Sequence, residues 1–277
     1  MGALARRLRI FRVGAEMAGR MFLAQYPPGI YFGSWVPRIL FQTAFFTLFA
    51  RYLGGRDYMA YAFVGNAVQV STLPSVAMLL TVIAYDRASG TLPLLLASPA
   101  DQAFNLLGRC AFYGLNGLLA TLIAFLAVGP LLGVGLEAAE LARVVPLWSL
   151  SLTGLGVLLG SLTLMTRADI FIANTACYLL MVLAGVNVPL STLPPVLAAV
   201  GRLLPMTHGL EAIRALLPGP AGGWHAAAGA AAAGLGAKVA CLALREAAAG
   251  LAYLACGWAA LQLLAVRARR LGTLEFH

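Results

Sequence analysis

The chain has 277 residues, 61% of them hydrophobic and only 10% charged, and its mean hydropathy is strongly positive. Soluble domains carry about 25% charged residues, so this composition is that of a polytopic membrane protein, with no polar stretch long enough for a separate soluble catalytic domain. Nineteen basic residues against ten acids give a net charge of +9, but the arginines flank apolar runs, which points to anionic lipid headgroups and away from nucleic acid.

Residues 1–29 read as an amphipathic elbow helix and a turn. Leu4, Leu8, Phe11, Ala15, Ala18 and Phe22 recur at spacings of four and three, which puts them on one helical face. Arg6, Arg9, Arg12, Glu16 and Arg20 fall on the other side. Such a helix lies in the headgroup plane, and its basic start places the amino terminus in the cytoplasm. It serves either as a plain anchor or as an elbow that also meets a cytoplasmic partner. Tyr26-Pro27-Pro28-Gly29 then turns the chain. The first apolar run follows this helix without a small-residue cleavage site, so it reads as a retained anchor.

Residues 30–277 divide into six spans. The first covers about 31–53, with Arg38 one turn inside the cytoplasmic edge, where it can snorkel. Gly54-Gly55-Arg56-Asp57 makes a tight external turn. The second, about 59–84, holds Asn66 and Gln69 on one face, for hydrogen bonding between helices or for lining a path. The third, about 104–132, is expected to break near Gly129-Pro130. The fourth, about 144–165, carries Gly154, Gly156 and Gly160, the last two a GxxxG pair for close helix approach. Thr166-Arg167-Ala168-Asp169 turns into the fifth, about 170–188.

From 189 to 245 six prolines, from Pro189 to Pro220, cut the chain into apolar pieces below spanning length, which suggests extracytoplasmic re-entrant helices. The Ala-rich stretch 226–244 is long enough to span, but spanning there would move the carboxyl terminus to the other side. The last span is expected at about 246–266, before the basic tail Arg267-Ala268-Arg269-Arg270. Six spans place twelve basic residues inside and seven outside, four of the seven in the long 189–245 region. Both termini are therefore expected in the cytoplasm.

The loop at 85–103 lies between the second and third spans. Gly90 and Thr91 end one helix, and Pro93 fits the first turn of the next. Ser98-Pro99-Ala100-Asp101 is a capping-box pattern opening a third. A short apolar helix near Leu92–Ala97 is thus expected outside the membrane, either as a bare interfacial turn or as a docking knob. Cys110, Cys177, Cys241 and Cys256 sit singly as packing residues. His208, His225 and His277 are too scattered for a metal site, and no catalytic residue or metal is expected.

Asp86, Gly90-Thr91-Leu92, Leu94-Leu95-Leu96 and Ser98-Pro99 together resemble the cytoplasmic loop of ABC-2 type exporter permeases. That family usually carries Glu where this chain has Pro93. Pro205-Met206-Thr207-His208-Gly209-Leu210-Glu211-Ala212-Ile213-Arg214 is similar to the family's stretch after the fifth span, and the six-span layout also matches. The resemblance implies an all-α membrane protein of the bacterial inner membrane that pairs with a second permease copy or a related permease. It also implies a separate cytoplasmic ATPase dimer that binds ATP and Mg; this chain lacks a GxxxxGK[ST] loop and would bind no cofactor itself.

Asp86, Arg87, Gly90, Thr91, Leu92, Leu95 and Leu96 would then couple to the ATPase, with Asp86 and Arg87 as rim charges around an apolar knob. Each fully buried Leu of that knob contributes about 1.5–3 kcal/mol. Asn66, Gln69, Asn174 and Tyr178 would line the substrate path between the first, second and fifth spans. Pro205, His208, Glu211 and Arg214 would form an extracytoplasmic gate. Glu211 and Arg214, three apart, can pair on one face, for local stability or for gating. The apolar spans favour a lipidic or amphiphilic cargo such as a glycolipid, polyketide or hydrophobic drug. The other readings are a secondary transporter driven by an ion gradient, a membrane-embedded enzyme and a scaffold without transport. Every acid lies near a segment end and no catalytic cluster is visible, which argues against the first two.

Overall fold

The computed structural model describes residues 2–91, 102–134, 138–163, 166, 168–216 and 232–271. Among them there is no strand. Helices α1 (Ala3–Gln25) and α2 (Pro28–Ile30) meet at the Pro27-Pro28 break. A wide π-helical turn, Tyr31–Trp35, leads into α3 (Val36–Gln69). Inside α3 the helix breaks at Gly54 and Gly55, where Gly55 has φ +74, at the expected external turn. A second π-helical segment, Leu73–Ala77, absorbs Pro74 before α4 (Met78–Ala88).

Four long helices or helix pieces follow. They are α5 (Gln102–Leu132), α6 (Ala138–Thr163), α7 (Asp169–Leu183) and, at the end of the chain, α10 (Ala232–Leu271). Between α7 and α10 lie a 3-10 turn at Leu190–Thr192 and two short helices, α8 (Pro195–Leu203) and α9 (Thr207–Leu216). Four stretches among the described residues are long and apolar enough to cross a membrane: Pro28–Ala88, Phe104–Leu132, Val144–Thr163 and Gly236–Leu263. The first is 61 residues long and contains the Gly54-Gly55 break. Helix α7, at 15 residues, is shorter than the other four.

Three expectations are corrected. Helix α5 does not break at Gly129-Pro130. It runs to Leu132 and ends at Gly133, φ +65; a proline this near the carboxyl end removes one hydrogen bond and leaves the rest of the helix intact. The last helix does not begin at Glu246. It is one helix of 40 residues from Ala232, because the Ala-rich sequence is strongly helix-forming and contains no proline after Pro220 to stop it. Lys238 and Arg245 therefore belong to the same continuous helix, α10.

The third correction concerns α1. Part of its apolar stripe, expected to face lipid, is packed along α5. Gly14 sits on the backbone of Asn105, and Gly108 sits on the carbonyl of Phe11, so a side chain at either would collide with main chain. Ala18 and Phe22 are buried there, while Leu4 and Leu8 stay exposed. Phe22 also joins Tyr26, Tyr31, Trp35 and Phe112 in an aromatic cluster at the elbow.

The core sits where α3, α5 and α6 meet α9, around Phe63, Leu80, Phe125, Trp148, Leu152, Met206 and Ile213. Small residues set the spacing. A Cβ at Gly154 of α6 would lie 2.8 Å from the Gly250 carbonyl oxygen of α10, and one at Gly257 would lie 2.7 Å from the Leu158 nitrogen. Gly156, expected to serve close approach, faces Ser75 and Leu79 of the second apolar run.

Candidate functional site

Three polar assemblies are built on this frame. The first is the corner where the 85–103 loop leaves the helices. Helix α4 ends at Ala88, and Gly90, φ +69, supplies the left-handed residue that closes it, with its N–H bonded to the Arg87 carbonyl at 3.1 Å. Thr91 Oγ1 donates to the Asp86 carbonyl at 3.1 Å. Leu92, Leu95 and Leu96 lie outside the described residues.

Asp86 is not a rim charge. Its side chain is 6% exposed, and its Oδ2 accepts from Arg109 Nη1 at 2.5 Å, with the Arg109 side chain 2% exposed. Arg109 also reaches Met17 Sδ of α1 at 3.3 Å. One buried ion pair thus joins α4, α5 and α1. Arg87 donates to the carbonyls of Thr163 and Thr166, the latter at 2.7 Å. Thr163 is the last residue of α6, where a cation meets both an orphan carbonyl and the helix dipole. The two charged residues of the loop's start therefore fasten it to three long helices.

The second assembly is at the other end of α3. Tyr58 and Tyr61 hydroxyls donate to the Asn187 and Gly185 carbonyls, each at 2.8 Å. Asn66 Nδ2 donates to Asn187 Oδ1 at 2.7 Å. Arg214 of α9 is buried and donates to the carbonyls of Gly185 and Val186 at 2.8 Å each and of Tyr61 at 3.2 Å. Its guanidinium lies 3.4 Å from the Tyr61 ring centroid. Gly65 lets the 185–187 turn approach, because a Cβ there would strike the Val186 carbonyl. Asn66 therefore ties α3 to the 185–187 turn.

Arg214 uses its hydrogen bonds on backbone carbonyls, while Glu211 faces His208 Nδ1 at 3.9 Å. The other end of α9 is held by a residue the sequence reading placed at the edge of a span. Glu246, fully buried within α10, accepts the N–H of Met206 at 2.7 Å and of Gly209 at 3.0 Å, as well as the Ser151 hydroxyl. It caps α9 from a neighbouring helix, and Met206 adopts φ +66 to present its N–H. Pro205 and His208 flank these two donors.

The third assembly is a groove of about 140 Å³ between the start of α3, its far end and α7. Trp35, Arg38, Gln42, Gln69, Asn174, Cys177 and Tyr178 are among its walls. It brings together three of the four expected path residues, Gln69, Asn174 and Tyr178. Gln69 Nε2 donates to the Cys177 carbonyl at 3.2 Å, so the amide bridges the second and fifth apolar runs.

A family model described as ABC-2 type transporter matches residues 26–217. The chain belongs to the ABC-2 type transporter family. Comparison with curated proteins and with solved structures gives no match. The matched residues of this ABC-2 permease contain the groove, α9, the Asp86–Arg109 pair and all three donors to Glu246, while Met17 and Glu246 itself lie outside them. Permeases of this family work with cytoplasmic ABC ATPase subunits. The sequence reading singled out Asp86, Arg87, Gln69, Asn174 and Tyr178. Arg109, Tyr58, Tyr61, Asn187 and Glu246 were not singled out for a role. For Arg109 a signal was present: it is a basic residue in the first turns after the loop that Asp86 opens.

Proposed function

We propose that this chain is the membrane half of an ATP-driven exporter of lipidic or amphiphilic molecules in the bacterial inner membrane, with both termini in the cytoplasm. Two such permeases, copies or relatives, pair over a separate ATPase dimer, which supplies ATP and Mg. The chain crosses six times. Pro28–Ala88 contributes two passes separated at Gly54-Gly55, since 61 helical residues extend about 90 Å, some three times the hydrocarbon thickness. Helix α7 contributes the fifth, and α8 and α9 enter the outer leaflet without crossing it.

The observation that carries this reading is the fastening of the 85–103 loop. A force arriving on that loop passes through Asp86–Arg109 to α5 and α1 and through Arg87 to the end of α6. A loop that only joined two spans would have no use for three such ties. Leu92, Leu95 and Leu96 form the apolar knob that the ATPase grips, while Asp86, Arg87, Gly90 and Thr91 hold its base. The groove at Gln69, Asn174 and Tyr178 receives the cargo, and Pro205, His208, Glu211 and Arg214 belong to the outer gate.

The test is co-expression with the ATPase, followed by amphiphile-stimulated ATP hydrolysis in proteoliposomes. Leu95→Asp and Gly90→Trp abolish the stimulation while leaving the permease inserted at wild-type levels. Full stimulation in both variants rejects the coupling role. A membrane-impermeant thiol reagent on a Ser89→Cys variant, in a background without the four native cysteines, reacts only from the cytoplasmic side. Reaction from outside alone overturns the whole reading.

A further inference from the structure

We infer that the groove selects amphiphiles by an anionic headgroup that also carries a hydroxyl. This deepens the proposed transport function and rests on the groove being the cargo's path. The walls hold one full charge, Arg38, and no acid. The Arg38 guanidinium lies 5.6 Å from the Trp35 ring centroid, and no carboxylate among the described residues pairs with it. Arg38 is exposed, so a lipid headgroup can reach it, and arginine pairs with phosphate through charge-assisted hydrogen bonds.

The rest of the lining fits the same ligand. Trp35 is 6% exposed and its Nε1 donor has no partner. Gln69 is also 6% exposed; its Nε2 is used on Cys177, and its Oε1 acceptor has no partner. Buried polar atoms without partners are costly and uncommon in folded proteins. The groove thus offers an exposed cation to an anion, and its wall holds a buried, unpartnered N–H and carbonyl oxygen that a headgroup reaches by displacing the side chains over them. Asn174 and Tyr178 add polar groups at the exposed rim. A phosphate bearing a polyol, on an acyl chain lying along the neighbouring apolar helix faces, satisfies all of them. A zwitterionic choline headgroup would bring a second cation to Arg38 and no hydroxyl for Gln69.

The experiment uses the full-length permease in detergent. Retention of phosphatidylglycerol, phosphatidic acid and phosphatidylcholine with identical acyl chains is measured by native mass spectrometry. The wild type is expected to prefer phosphatidylglycerol over phosphatidylcholine at least tenfold. Arg38→Gln brings that preference to within about twofold, Arg38→Lys retains part of it, and Gln69→Leu narrows the preference for phosphatidylglycerol over phosphatidic acid. Arg38 is exposed, so its replacement opens no cavity in the fold. Equal retention of all three lipids, or an unchanged preference in Arg38→Gln, overturns the proposal. Displacement of phosphatidylglycerol by millimolar inorganic phosphate also overturns it, in favour of a site for free anions.

A second readout separates this proposal from the path on which it rests. Arg38-dependent binding without phosphatidylglycerol-stimulated ATP hydrolysis upholds the headgroup site and rejects the path. Transport of phosphatidylglycerol, undiminished in Arg38→Gln, upholds the path and rejects the headgroup site.

Discussion

Arg109 Nη1 lies 2.5 Å from Asp86 Oδ2, and neither side chain is more than 6% exposed. A buried pair gains little over well-packed apolar residues, but losing one partner strands the other charge, at a cost of about 3–5 kcal/mol. Asp86→Asn and Arg109→Met are therefore each expected to lower the thermal midpoint of the purified permease sharply. The double variant Asp86→Leu/Arg109→Met recovers much of the loss. Additive losses in the double variant would show that the two residues act separately.

Glu246 supplies the acceptors for two backbone donors at the start of α9. Glu246→Leu orphans both, at about 1–3 kcal/mol each. Glu246→Gln keeps one carbonyl oxygen and loses less. Hydrogen exchange should report the difference locally, with Met206 and Gly209 amides exchanging faster in Glu246→Leu. Unchanged protection there would mean that another group caps the helix.

Close contact between α1 and α5 depends on Gly14 and Gly108. Gly108→Leu forces the helices apart, and overpacking of this kind costs about 1–3 kcal/mol. A disulfide engineered between the two helices at neighbouring positions forms readily in the wild-type background and slowly in Gly108→Leu. Equal rates would place α1 away from α5 in the membrane.

His208 has its pKa raised by the Glu211 carboxylate 3.9 Å away, against the opposite pull of partial burial. A raised folded-state value means the contact stabilises fully below the unfolded value of about 6.5 and fades as pH climbs through the native one. The difference in thermal midpoint between wild type and His208→Gln should therefore shrink from pH 5.5 to pH 8.5. A difference independent of pH would assign the effect to packing alone.

Local signals in the sequence carried much of this architecture. The Pro27-Pro28 elbow, the Gly54-Gly55 turn and the Gly90 helix end each depend on one or two residues whose backbone preferences are nearly decisive. The polar partnerships were less legible, because they join residues far apart in the chain. Asn66 and Gln69 share a helix face by spacing, yet one bonds to Asn187 and the other to Cys177. Arg214 has Glu211 one turn away, yet it turns to carbonyls of another segment. Glu246 was misread for a related reason. A charge next to Arg245 looks like a helix boundary until its three donors are brought in by the fold.

Helix α10 is about 60 Å long, and Glu246 grips it fourteen residues from its start and twenty-five from its end. Beyond that grip, Gly250 and Gly257 seat the same helix against the backbone of α6. The two helices therefore form one stiff strut, and a shift of α9 reaches both of them together through Glu246 and Ser151.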